Sequence, residues 1–178
     1  PHQSLNGSSY IIMFIDDSTK KVWVYPIRTK DQAFTIFQEW LAMVENQSGR
    51  NLKFLSLMDN GGEFQSDEFV RYCQHHDIRQ ELTTPYSPEK MAFAERMNQT
   101  NQERIVPMMQ LARLSHGFWV EALLTAVCII NMSPSRPLGL QIPHEPWTGQ
   151  RPNYEKLRNF GCEAFALVPK DYRRKLEP

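Results

Sequence analysis

The chain has 178 residues, with 20 Lys and Arg against 20 Asp and Glu and a formal net charge of zero. Hydrophobic residues make up 41% and charged residues 22%, the balance of an ordinary globular domain. That composition excludes a disordered tail, a collagen-like fibre and a low-complexity linker. The longest apolar run, Tyr10 to Ile15, is far too short to span a bilayer. Pro1-His2-Gln3-Ser4 is not a natural start, so a piece of something longer is expected. Residues 1–89 carry a net −4 and residues 90–178 a net +4, a mild hint of a polyanion-facing second half.

Tyr10 to Ile15 is apolar and β-prone; Asp16 to Lys20 supplies turn chemistry, and Val22 to Tyr25 resumes the strand pattern, so a hairpin is predicted. Thr29-x-x-Gln32 is a capping-box signature, and Ala33, Phe37, Trp40, Leu41 and Val44 follow at helical spacing to about Asn46. Gly49 ends that helix. Leu52 to Met58 reads as a strand running into the Asp59-Asn60-Gly61-Gly62 loop. Ser66 caps a short helix holding Phe69, Val70 and Cys73, and Ile78 to Leu82 is a short strand.

Pro85-Tyr86-Ser87-Pro88 is a loop, with Ser87 as N-cap and Pro88 in the first turn of a long helix toward Leu114. Pro107 lacks the donor that a mid-helix position needs, so a kink or break is expected there. Ser115 is expected to cap a helix whose apolar face holds Phe118, Trp119, Ala122, Leu123, Ala126 and Val127. Pro-rich loops then lead to a last strand, Ala164 to Val168, and a basic tail. The order indicates an α/β domain with a mixed sheet flanked by helices.

Three widely spaced cysteines without a CxxC pair argue against structural zinc and fit reduced thiols in an intracellular setting. Cys73-x-His75-His76 reads as a buried thiol beside surface histidines. The chemistry-bearing pair is Asp59, at a strand end, and Glu95, eight residues into a capped helix. Two such carboxylates can converge on one hard divalent cation, with substrate phosphate oxygens completing its shell. Met91 and Gln99, one turn to either side, share the Glu95 face. The alternative, a solvated glutamate and a loop aspartate, stays open on the residues alone.

Asp59-Asn60-Gly61-Gly62-Glu63-Phe64, Pro85-Tyr86-Ser87-Pro88 and Ala94-Glu95-Arg96-Met97-Asn98 resemble the integrase catalytic core of copia-type long-terminal-repeat retrotransposons. Phe14 to Ser18, Phe118-Trp119, Glu121-Ala122, Ser133 to Arg136 and Phe160-Gly161-Cys162 extend the resemblance along the chain. Thirty-five residues separate Asp59 from Glu95, the spacing of the second and third acids of the D,D-35-E signature.

The resemblance implies a ribonuclease H-like fold whose first, central strand is missing here. Residues 1–114 would be a partial catalytic core and residues 115–178 the C-terminal helix, loops and final strand of the same region. It implies Mg²⁺- or Mn²⁺-dependent processing of DNA 3′ ends and strand transfer. Asp59 and Glu95 would be the catalytic metal ligands, and Asn60, Gly61, Gly62, Pro85 and Tyr86 the loops beside them. DNA and further copies of the chain are the expected partners, and the nucleus is the setting of a working integrase.

The first acid of the triad has no counterpart, because Asp16 and Asp17 match the family's turn after its second strand. Met91-Ala92 replaces the usual Asn-Gly, and Leu57-Met58 and Met132 are further departures. Inactivity of this piece is therefore expected, along with poor stability or self-association through uncovered sheet edges. The alternative function is a non-catalytic DNA-binding or self-associating relict. Candidate phosphate contacts are Lys90, Arg96, Arg151, Lys156, Arg158, Arg173, Arg174 and Lys175. Ribonuclease H proper shares the fold but not these flanking motifs.

Overall fold

A computed structural model describes residues 3–57, 62–82 and 88–165, with the backbone alone at 63, 82 and 88–94. The predicted hairpin is present: β1 (Tyr10–Ile15) and β2 (Val22–Ile27) pair antiparallel, Tyr10 opposite Ile27 and Ile15 opposite Val22. Its turn is closed by Asp16, whose carboxylate accepts from both the backbone N–H and the hydroxyl of Thr19 at 2.7 Å. Pro26, which cannot donate to a ladder, sits in β2, where the sheet has an edge.

At the start of α1 (Ala33–Ser48), Gln32 reaches back, its amide oxygen accepting from the backbone N–H of Arg28 (2.7 Å) and Thr29 (3.3 Å). Gly49, at φ 64°, ends the helix as expected, donating to the Glu45 carbonyl. β3 (Phe54–Leu57) pairs parallel with β4 (Arg79–Leu82) across α2 (Asp67–His75), whose N-cap Ser66 accepts from the Phe69 N–H at 3.3 Å.

α3 spans Pro88–Leu111 and passes through Pro107 without ending, so the break expected there is not found; Pro107 is exposed. Ser115 does not cap the next helix directly. A 3-10 turn, His116–Phe118, intervenes before α4 (Trp119–Asn131). The short α5 (His144–Thr148) follows the Pro-rich loop. Ala164 and Phe165 carry no strand, and Phe165 is exposed; the rest of the predicted last strand lies outside the described residues.

The alternation along the strands assigns two faces. Ile12, Phe14 and Ile27 turn toward α1, where they pack with Phe37, Trp40, Leu41 and Val44. The same core takes in Phe69 and Cys73 of α2, so α1 lies over both strand pairs. Phe14 stacks on Trp40 at 4.1 Å and Phe37 meets Phe69 at 4.8 Å. On the opposite face Val22 and Val24 pack against Leu123 and Val127 of α4, with Met97 and Ile105 of α3 beside them. Each fully buried side chain of this kind contributes roughly 1.5–3 kcal/mol. Trp147 of α5 docks edge-on against Trp23 at 4.9 Å and donates to the Gln47 side chain.

Both kinds of strand pairing expected of a mixed sheet are present, but in two separate two-stranded sheets, one antiparallel and one parallel. Among the described residues no ladder joins β1 to β3.

Candidate metal and nucleic-acid site

The space between the two sheets is a cleft of about 2230 Å³. β1 and β3 form its sides, Phe37, Trp40 and Val44 of α1 cover it, and Asn98, Asn101 and Gln102 of α3 line it from the other layer. Asn101 is 3% exposed. These amides were not singled out in the sequence, yet their spacing, Asn98-x-x-Asn101-Gln102, is that of one helical face.

Glu95 stands exposed on α3, three residues before Asn98 and seven before Gln102, and so shares their face. Gln99, the expected neighbour one turn on, is exposed. Asp59, Asn60 and Gly61 lie outside the described residues, as do Pro85 and Tyr86. The described residues on either side of the stretch holding Asp59 are Leu57 and Gly62. Leu57, two positions earlier, is buried at the end of β3, and Phe64, five positions later, packs edge-on against Phe69 at 5.5 Å. Gly62 opens a 3-10 turn, Gly62–Phe64, with open space where a Cβ would stand. Ser56 and Leu57, at the end of β3, line the cleft.

Carboxylate and neutral amide oxygens are the ligands a hard cation takes; of the expected pair, Glu95 shares a helical face with the amides of Asn98 and Gln102, while Asp59 lies outside the described residues. Among the described residues no group of three or more His, Cys, Asp or Glu could hold a metal. Asp16 is engaged by Thr19 at the hairpin turn. Cys73 is buried while His75 and His76 are exposed, as expected. Burial pushes the Cys73 thiol up from its ordinary range, with the Gln80 side chain acting weakly the other way. Lys21 is pulled down by burial, its ammonium resting over the rings of Trp23 and Trp147.

Of the basic candidates, Arg96, Arg151, Lys156 and Arg158 are exposed. Arg151 approaches Glu145 at 3.8 Å, and Arg158 donates to the carbonyls of Glu155 and Leu157 at 2.7 and 2.8 Å. The side chain of Lys90 and all of Arg173, Arg174 and Lys175 lie outside the described residues. No helix among the described residues is long and apolar enough to cross a membrane.

Comparison with known proteins bears on this arrangement. Residues 2–88 match the model of the integrase core domain. The chain is 48% identical over 175 residues to a retrovirus-related Pol polyprotein from the tobacco transposon TNT 1-94, covering 98% of this chain and 13% of the relative. It is 33% identical over 178 residues to the Pol polyprotein of transposon RE2 of Arabidopsis thaliana, covering 99% and 12%. It thus spans about an eighth of the length of these relatives. Among solved structures, the HTLV-2 integrase catalytic core domain in complex with magnesium, a trimeric form, aligns at TM-score 0.58 and 17% identity. That alignment covers 77% of this chain and 83% of the other. A chain of the simian T-cell lymphotropic virus intasome, in complex with a PP2A regulatory subunit, aligns at TM-score 0.62 and 18% identity, covering 94% and 56%.

Proposed function

Since the chain belongs with the integrase core of copia-type retrotransposon Pol polyproteins, we propose that it is the DNA-integration segment of such a polyprotein, with Asp59 and Glu95 as two of its metal-binding carboxylates. One observation carries this reading: the end of β3, two residues before Asp59, and the α3 face that includes Glu95 border the same cleft. The site takes a phosphodiester of DNA, with Mg²⁺ or Mn²⁺ supplying Lewis acidity for an in-line displacement at phosphorus.

In this reading Asp59 and Glu95 each present carboxylate oxygens, and the third carboxylate comes from polypeptide ahead of residue 1. Asn98 and Gln102 line the wall beside Glu95. Water is the nucleophile for trimming the DNA 3′ end, and the freed 3′-hydroxyl is the nucleophile for joining. No side chain becomes covalently linked. Arg151, Lys156 and Arg158 meet the DNA backbone, and copies of the chain assemble around the DNA ends in the nucleus. By itself the 178-residue piece is inactive, since two carboxylates hold a metal pair weakly.

The test is strand transfer on labelled DNA ends with Mg²⁺, comparing this chain, an N-terminally extended version, and the extended version carrying Glu95→Gln. Activity is expected in the extended version alone. Joining that survives Glu95→Gln overturns the site assignment. A second reading, a non-catalytic DNA-binding or self-associating module, draws on the two sheets left separate in the fold. It predicts DNA binding by the extended version without any joining.

A further inference from the structure

Residues 143–158 form a strap that is fastened to both helix layers. At its start Pro143 is fully buried, and Trp147 of α5 is held against the hairpin and α1. The Trp147 ring meets Trp23 of β2 at 4.9 Å, its indole N–H donates to the Gln47 side chain of α1 at 3.1 Å, and the Lys21 ammonium lies 5.8 Å from its ring centre. Further along, the Tyr154 hydroxyl donates to the Met132 carbonyl, just past the end of α4, at 2.9 Å. α1 and α4 cover opposite faces of the hairpin, so the strap joins one layer to the other.

Between and beyond these two anchors the strap bonds to itself. Gly149, at φ 72°, ends α5 and turns the chain. The Thr148 hydroxyl accepts from the Gln150 N–H at 3.2 Å, and the Asn153 side chain accepts from the Glu155 N–H at 2.9 Å. The Leu157 N–H donates to the Tyr154 carbonyl at 3.0 Å, and Pro152 is buried. A segment bonded in this way has little backbone freedom left to lose when it meets a ligand.

What the strap displays is cationic. Arg151, Lys156 and Arg158 are exposed and lie on both sides of Tyr154. Arg151, its side chain 93% exposed, is only loosely paired with Glu145 at 3.8 Å. Arg158 spends Nη1 on the carbonyls of Glu155 and Leu157, which holds its guanidinium against the strap. Three cations against Glu145 and Glu155 leave the strap at only +1, and the whole chain has a net charge of zero. Bulk attraction for a polyanion is therefore weak, and affinity depends on where each cation is placed.

We propose that Trp147 and Tyr154 are positioning residues for DNA: by fastening the strap to both helix layers they hold Arg151, Lys156 and Arg158 at a fixed spacing against the phosphates of a duplex. The inference rests on the reading that these three cations meet DNA, and adds that they do so as one rigid unit. Trp147 and Tyr154 act through the cations and not through contacts of their own with DNA.

The test is a double-mutant cycle, run in the 178-residue chain or, where that does not fold, in the N-terminally extended version. Binding to a fluorescent DNA duplex is followed by anisotropy at several salt concentrations. Trp147→Leu is measured in the parent and in the chain carrying Arg151→Ala, Lys156→Ala and Arg158→Ala. In the parent it is expected to weaken binding by on the order of 10-fold, because ordering the three side chains moves into the binding step. In the triple-alanine background its effect is expected to be under about 2-fold. Tyr154→Phe removes one hydroxyl and keeps the ring; about 3-fold is expected in the parent, again vanishing in the triple-alanine background, and this variant carries the cycle if Trp147→Leu does not fold. Equal effects in both backgrounds mark a general loss of structure and overturn the proposal, as does no effect in either. A triple-alanine chain that binds as the parent does places the phosphate contacts elsewhere, and the underlying reading of the three cations falls together with this one. A triple-alanine loss that is uncoupled from Trp147 and Tyr154 overturns this inference alone.

Discussion

Asn131, the last residue of α4, grips Val22, the first residue of β2, from 109 positions away: its amide oxygen accepts the Val22 N–H at 2.9 Å and its amide nitrogen donates to the Val22 carbonyl at 2.8 Å. This pair completes the backbone pairing of β2 with a side chain and fixes α4 along the strand that Leu123 and Val127 cover. Asn131→Ala leaves both backbone groups unpaired in a half-buried setting and is expected to cost about 2–3 kcal/mol. Asn131→Asp keeps the acceptor and loses the donor. Urea unfolding checks this; a loss under about 0.5 kcal/mol for the alanine variant would count against the clamp.

Phe37 is fully buried, with Phe14, Trp40 and Phe69 all within ring-contact distance. It is where the hairpin, α1 and α2 meet. Phe37→Ala is expected to cost about 3–5 kcal/mol and Phe37→Leu distinctly less. A domain with ordinary stability of about 5–15 kcal/mol has little left after the first change. The observable is the urea midpoint, with loss of near-ultraviolet circular dichroism marking disrupted ring packing.

Gly161 has φ 81°, and a Cβ built there would lie 2.3 Å from the Cβ of Ala112, just past the end of α3. Both the backbone conformation and the close approach require glycine. Gly161→Ala is expected to cost about 1–3 kcal/mol. The paired change Gly161→Ala with Ala112→Gly should recover the contact part and leave the backbone part. Failure of the second change to recover anything would show that the close approach carries no energy.

Burial raises the pKa of Cys73, and of Tyr25 and Tyr72 as well. A raised acid stays neutral in the fold after the unfolded chain has lost its proton. Stability is therefore fully present below the ordinary thiol range and falls as pH rises through it. Unfolding midpoints between pH 7 and 10 should decline. Cys73→Ala should flatten the part nearest the thiol range and leave the tyrosine part above it. An unchanged slope in that variant would remove Cys73 as the cause.

Arg151, Lys156 and Arg158 are exposed in one stretch after α5. If they meet phosphate, changing all three to Ala weakens DNA binding about equally across sequences. It should also reduce the slope of log affinity against log salt by about 2–3. Binding measured by fluorescence anisotropy at several salt concentrations checks this. A slope identical to that of the parent chain would place the phosphate contacts elsewhere.

The hairpin, α1 with its Gly49 end and the Ser66 cap were legible because each is written in local chemistry: turn residues, a helical apolar stripe, a hydroxyl before a helix. Of the kink or break expected at Pro107, the break is not found, since an exposed position on a long helix tolerates one lost hydrogen bond. The 3-10 turn after Ser115 was missed because a capping residue specifies that a turn begins and not its pitch. For the site, Glu95 could be placed on a helix face from spacing alone. Asn101 could not be recognised, because a lone Asn in a polar helix gives no sign of burial until the sheets around it are assembled.

The contact of Trp147 with Trp23 has a use beyond packing. Two indoles 4.9 Å apart and nearly perpendicular couple their excited states, so the pair carries its own spectroscopic signal. That signal reports whether α5 is seated on the hairpin, and it can be followed without attaching any label.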